Sequence, residues 1–307
     1  MFKFQNFVLV ALVLFIGLTH ADAELRVVAS IKPVHSLVAS IMQGVGEPKL
    51  ILDGSGTPHG YALKPSKARL LANADIIFWI GPGLETFMQR PVKTIGSAAR
   101  SVELMNSSGL IVYPSRDFDQ DEHSGETEKH DHGSFDPHIW LDPQNAKKMA
   151  STISAELIRS DPENADLYQK NTRNLVARLD ELTDKTMMLL KPLKGRPFIT
   201  HHDGYQYFEK RFGLSSKGAL IANPEILPGV GHALKIRDSL KSIGSACLFT
   251  ELQFPQKFVT VITENTNTKV ALLDPLGSEI RPGPALYFKL MNVMAKSFHG
   301  CLSMIAN

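Results

Sequence analysis

The chain has 307 residues, more than one small core needs and enough for two lobes of ordinary domain size. Its 43% hydrophobic and 21% charged residues are those of a globular protein rather than a disordered or fibrous one. A formal net charge of +2 marks no surface as a whole for nucleic acid or for a membrane.

Residues 1–23 read as an export signal. Lys3 supplies the positive start, residues 7–16 form an apolar run too short for a stable anchor, and Ala21-Asp22-Ala23 fits the small-x-small cleavage pattern. The mature chain is expected to begin at Glu24. No Cys follows the apolar run, so a free periplasmic protein is expected rather than a lipid-anchored one. No later stretch is apolar for long enough to cross a bilayer.

From residue 24 short apolar runs alternate with amphipathic stretches. Residues 25–30, 50–52 and 75–80 read as strands, each closed by Gly, Pro or Asp, with a helix over 64–71 between the last two. This βαβ rhythm predicts a mainly parallel sheet. It returns in the strand-like runs 198–200, 247–250 and 269–273, with a helix over 231–243. Two α/β lobes follow, over 24–158 and 192–307. Between them a long helix is expected over 159–191. Asp161 suits its N-cap and Pro162 its first position, and Leu175, Leu179, Leu182 and Thr186 continue one face to Pro192. Such a helix would join the lobes as a stiff rod.

Residues 117–136 differ in kind. They are rich in Asp and Glu, carry His123, His130 and His132, and have almost no apolar content. Such a segment cannot bury a core. It reads either as a solvated acidic insertion or as an auxiliary loop that collects metal.

Chemistry-bearing residues gather where strands end. His59 follows the strand at 50–52 through the loop Asp53-Gly54-Ser55-Gly56-Thr57-Pro58. His201 and His202 follow 198–200, and Asp274 follows 269–273. In α/β sheets ligands bind outside the carboxyl ends of strands, so these residues sit where a cleft is expected. His138 lies instead in a stiff, Pro-bracketed segment, Asp136-Pro137-His138-Ile139-Trp140-Leu141-Asp142-Pro143. Singly each is weak, since a lone His is more often a hydrogen-bonded or surface residue than a ligand. His35 reads as structural, and His232 and His299 as surface residues.

Four motifs taken in order are more specific. Pro58-His59-Gly60-Tyr61-Ala62-Leu63-Lys64-Pro65-Ser66, Asp136-Pro137-His138-Ile139-Trp140-Leu141, His202-Asp203-Gly204-Tyr205-Gln206-Tyr207-Phe208 and Leu273-Asp274-Pro275-Leu276-Gly277 resemble the metal-site motifs of the ZnuA-type zinc-binding proteins of ABC importers. Ser30-Ile31-Lys32-Pro33, Gly81-Pro82-Gly83-Leu84-Glu85 and Pro224-Glu225-Ile226-Leu227-Pro228-Gly229 extend the likeness over essentially the whole mature chain. The resemblance implies two Rossmann-like α/β lobes with parallel sheets, joined by one long rigid helix, with metal in the cleft between them. It implies His59, His138 and His202 as ligands, with Asp274 or water as the fourth. His202 rather than His201 stands directly before Asp203, where the motif places the ligand. Pro58 stands where some relatives have Glu, so no carboxylate is available there.

Two cysteines in an exported chain suggest a disulfide, and the resemblance implies the pair Cys247–Cys301. Three imidazoles with one carboxylate suit Zn²⁺, whereas manganese-selective relatives carry a carboxylate in place of the third His. The expected partner is the membrane permease of a zinc ABC importer, served by a monomer with no enzymatic activity. A transport protein of the same fold for manganese or another divalent metal is the alternative; a zinc hydrolase is the rival from another class, but no His-Glu-x-x-His pair or evident general base accompanies the motifs. Surface attachment, a third reading, is disfavoured by the absence of a lipid-anchoring Cys.

Overall fold

Each half of the chain forms a parallel sheet whose strands are tied by helical crossovers, as parallel pairing requires. The computed structural model describes residues 24–54, 56–116, 135–221, 230–252 and 255–305. The expected export signal, the acidic segment with His123, His130 and His132, and the motif at 224–229 lie outside the described residues. In the first sheet β1 (Val27–Ala29), β2 (Lys49–Leu50), β3 (Ile76–Trp79) and β4 (Arg100–Glu103) stand in the order β2-β1-β3-β4. Their crossovers carry α1 (Lys32–Ile41), α2 (Pro65–Ala72) and α3 (Gln89–Thr94). Two further helices, α4 (Pro143–Ser160) and α5 (Ala165–Leu190), lead to the second half. There β5 (Phe198–His202), β6 (Ala219–Ile221), β7 (Ala246–Thr250) and β8 (Thr268–Leu272) repeat the arrangement as β6-β5-β7-β8. Their crossovers carry α6 (Gln206–Phe212), α7 (Val230–Ile243) and α8 (Gln256–Thr263), and α9 (Leu286–Leu302) closes the chain.

The two-lobed α/β fold is as expected, and the connection between the lobes differs in detail. Asp161 does not cap the long helix. Its N–H closes α4 on the Leu157 carbonyl at 2.8 Å, and its carboxylate accepts from Asn164 Nδ2 and Tyr168 Oη. Residues Pro162–Asn164 then make one 3₁₀ turn before α5 begins at Ala165. Leu175, Leu179, Leu182 and Thr186 are buried on one face of α5, as their spacing predicts. That face is no bare rod, because α5 packs along α4 and against α1 and α9.

Strand alternation sorts the core into layers. Val27, Ala29, Ile76 and Phe78 point to one side of the first sheet, and Phe198, Cys247 and Phe249 to one side of the second. All join a single apolar cluster with Leu175 and Leu179 of α5 and Met291, Met294 and Phe298 of α9. The opposite faces are covered separately, Val28, Ile77 and Trp79 by Leu71 and Val92, and Ile199 and Leu248 by Leu240 and Ile262. The inner faces of the lobes therefore share one core. Cys247 and Cys301 are disulfide-bonded, which ties α9 to β7 within that core. No helix among the described residues is long and apolar enough to cross a membrane.

Candidate metal centre

Three imidazoles converge where the carboxyl ends of the two sheets face each other. His202 is the last residue of β5. Phe198 of that strand faces the common core and Ile199 the outer cluster, so the period of two puts His202 and His201 on opposite sides of the strand, although both line the cavity at its end. His138 stands at the N-terminus of the 3₁₀ turn Ile139–Leu141. His59 sits on the loop beyond β2, with its N–H on Thr57 Oγ1 at 3.2 Å and its carbonyl accepting from Thr86 Oγ1 at 3.1 Å. His138 and His202 are buried and His59 is half-buried.

The ring centroids lie 5.5 Å apart for His59 and His138, 6.1 Å for His59 and His202, and 5.2 Å for His138 and His202. One ligand atom from each falls within 4.8 Å of the other two. His138 Nε2 and His202 Nε2 are 3.4 Å apart. Two nitrogens each about 2.0–2.1 Å from a tetrahedral zinc would be separated by about 3.3–3.4 Å. The pair already has the spacing that such an ion requires.

Carboxylates behind two of the rings select the face each presents. Asp136 Oδ1 lies 2.8 Å from His138 Nδ1 and also accepts the His138 backbone N–H at 3.0 Å. Glu251 Oε1 lies 2.6 Å from His202 Nδ1 and accepts from Tyr205 Oη at 2.9 Å. With each Nδ1–H donated to a carboxylate, each Nε2 lone pair is left for the cavity, the usual support of a metal-binding His. Burial opposes charge on His202, but the charge of Glu251 and the hydrogen bond to it prevail and raise its pKa. Burial likewise opposes ionisation of Glu251, yet the two adjoining histidines hold its carboxyl well below the usual range.

A second grouping, His201, His202 and Glu251, also brings three donor atoms together. Its 2.6 Å contact between His202 and Glu251 is a hydrogen-bond length, shorter than two ligands on one tetrahedral zinc would stand. His201 Nδ1 is 3.5 Å from Glu251, so His201 belongs to this supporting pair and not to the three-His cluster.

Asp274 lines the same cavity without joining the nitrogens. Its Oδ1 accepts from the backbone N–H of Leu276 at 3.1 Å and of Gly277 at 2.9 Å, and its Oδ2 from that of Ser278 at 2.5 Å. Asp136, the last residue of the acidic segment and the first of the His138 motif, is buried against His138 rather than exposed. Glu251 is not among the residues expected from the sequence, although it follows the run 247–250 and the strand-end rule that singles out Asp274 applies to it equally. His35 bonds the Pro48 carbonyl at 3.0 Å, in keeping with a structural role. His299 is half-buried on α9, and the side chain of His232 lies outside the description.

The cavity walled by these groups measures about 50 Å³. That admits an ion with a water or two, and is far below the roughly 300–1,000 Å³ of organic-ligand pockets.

A family model described as "Zinc-uptake complex component A periplasmic", ZnuA, matches residues 27–301. The chain belongs to the ZnuA family. The high-affinity zinc uptake system protein ZnuA of Brucella suis is 41% identical, with 94% of this chain and 95% of that protein covered. Its Yersinia pestis counterpart is 32% identical, with 91% and 92% covered. A solved crystal structure of ZnuA superposes with a TM-score of 0.76 at 24% identity, covering 91% of this chain and all of that one. FpvC from Pseudomonas aeruginosa, solved with Mn²⁺, gives 0.79 at 21% identity, covering 92% and 99%. At these identities the solved structures speak for the shared fold. The likeness first read from the ordered motifs is thus borne out at the level of family and fold.

Proposed function

We propose that this ZnuA-family protein is the periplasmic zinc-binding component of an ABC importer. It holds one Zn²⁺ through His59 and the Nε2 atoms of His138 and His202 and passes it as cargo to the membrane permease. The observation that carries this reading is the buried three-imidazole cluster, with its 3.4 Å nitrogen spacing and a carboxylate behind two of the rings. Imidazoles without a first-rank carboxylate favour zinc over manganese or magnesium. Asp274 or a water on the cavity wall completes four-coordination. The protein acts as a monomer and does no chemistry on its cargo, in keeping with a cavity whose size suits an ion better than an organic ligand.

Metal analysis of the purified protein tests this. The wild type should carry one zinc. His59→Ala, His138→Ala and His202→Ala should each lose most of it, while His201→Ala keeps it. Retention of zinc by two of the three ligand variants would sink the assignment. Zinc-dependent hydrolysis of esters or peptides would point to the hydrolase reading instead.

A further inference from the structure

Lys32 occupies a place that its own lobe does not explain. It is the first residue of α1, where the helix dipole disfavours a cation, and the first turn holds no acidic residue to offset it. It is also only 3% exposed, and a buried ammonium is costly unless fully hydrogen-bonded. Its partners all lie in the other lobe. Lys32 Nζ donates to the carbonyls of Gly277 at 3.2 Å, Ser278 at 2.5 Å and Ile280 at 3.2 Å.

These carbonyls belong to the loop that begins at Asp274. The peptide between Gly277 and Ser278 has its C=O on Lys32 and its N–H on Asp274 Oδ2, at 2.5 Å. One peptide unit thus relays the ammonium of the first lobe to the carboxylate of the second. Trp140 Nε1, two residues beyond His138, pins the same loop by donating to the Pro275 carbonyl at 2.9 Å. Gly277 permits the turn, with φ +69° and a Cβ position only 3.2 Å from Leu290 Cδ1. Lys32 itself is not among the residues that line the cavity.

We infer that Lys32 is a positioning residue of the metal site, acting across the lobe interface through the Gly277–Ser278 peptide to fix Asp274 on the cavity wall. The inference rests on the reading of the cavity as a zinc site and adds a residue outside it. Without the ammonium the loop carbonyls lose their donor and the backbone N–H groups that hold Asp274 lose their registration.

A double-mutant cycle on zinc affinity, measured by chelator competition, tests it. Lys32→Met should weaken zinc binding about 10–100-fold, the range for residues that support metal ligands. In an Asp274→Ala background the same change should have an effect of less than about threefold, because its route is gone. The Co²⁺ form of Lys32→Met should show an altered d–d spectrum, which a loss of stability alone would not produce. If Lys32→Met does not fold, Lys32→Gln is put through the same cycle with the same criteria. Losses that multiply independently of Asp274, or a lysine variant that binds as tightly as wild type, would overturn the inference and leave the zinc site standing. A wild type that binds no zinc would overturn both.

Discussion

Adding one methyl group at Gly204 should disable the site without disturbing the fold. A Cβ built there would stand 2.9 Å from Cε1 and 3.0 Å from Cδ2 of His202, and closer still to Nε2, the cavity-facing nitrogen. Carbon atoms in ordinary contact are about 3.5–4.0 Å apart, so the ring must withdraw by about 0.5 Å or more. Metal–ligand distances tolerate only about 0.2 Å. The ring cannot retreat within its plane, because Nδ1 is held by Glu251 at 2.6 Å. It must rotate out of line with His59 and His138. Gly204→Ala should therefore weaken zinc binding at least about 100-fold, at the upper end of what removal of a ligand's supporting partner costs. Chelator competition gives the affinity, and circular dichroism of the zinc-free form checks the fold. A folded Gly204→Ala protein with wild-type affinity would show that His202 does not bind metal through Nε2.

Zinc affinity should fall as the pH is lowered, beginning above the ordinary imidazole value of 6.5, because Glu251 outweighs burial and favours the imidazolium of His202 that metal must displace; a flat affinity from pH 7.5 to 5 refutes this. Glu251→Gln keeps an acceptor for His202 but removes the charge and should weaken zinc about tenfold, with unchanged affinity in chelator competition the contrary result. Cys247→Ser with Cys301→Ser opens a loop of sequence separation 54 and should lower unfolding free energy by about 4 kcal/mol in urea; a loss below about 1 kcal/mol refutes it. Buried Glu85 has a pKa raised by burial from 4.5 to about 7, so the folded state keeps its proton where the unfolded chain has lost it. Stability therefore falls as pH rises from about 4.5 to 7, by up to about 3 kcal/mol, a loss that Glu85→Gln should not share. Parallel pH profiles of the two zinc-free proteins in urea would contradict that account.

What could be read from the residues divides along physical lines. The buried strands β1, β3, β5 and β7 announce themselves as apolar runs, because both faces of a central parallel strand are covered. The edge strand β4, Arg100-Ser101-Val102-Glu103, buries only Val102 and carries no periodic signal. β6, of three residues, is too short for one. The helix α4 carries no signal in the sequence reading, where Asp142 and Pro143 bracket His138; in the structure Asp142 is its N-cap, accepting from Gln144 N at 2.8 Å. At the site, the ordered motifs picked out His59, His138 and His202. The role of Glu251 depends on a contact across the fold, over a separation of 49 residues, so its strand-end place marks it as a candidate but not as the partner of His202, whereas Asp136 supports His138 from only two residues away.

The stiffness expected of the molecule has a different origin from the one its sequence suggested. A long helix between lobes would transmit rigidity only if nothing else joined them. Here Arg211 of α6 pairs with Asp142 at 2.7 Å, and Arg116 pairs with Glu209 and Asp203. Tyr207 Oη donates to the Asp136 carbonyl at 2.8 Å, Tyr287 Oη to the Trp140 carbonyl at 2.7 Å, and the Tyr287 N–H to Ser36 Oγ at 2.9 Å. Separating the lobes would break these bonds and cut through the apolar cluster that both inner faces share. Exposing that cluster costs about 25 cal/mol per Å² of apolar surface returned to water. A wide hinge opening would have to meet that cost and the loss of the bonds together. The interface, more than the helix, thus holds His138 and His202 at metal-binding distance.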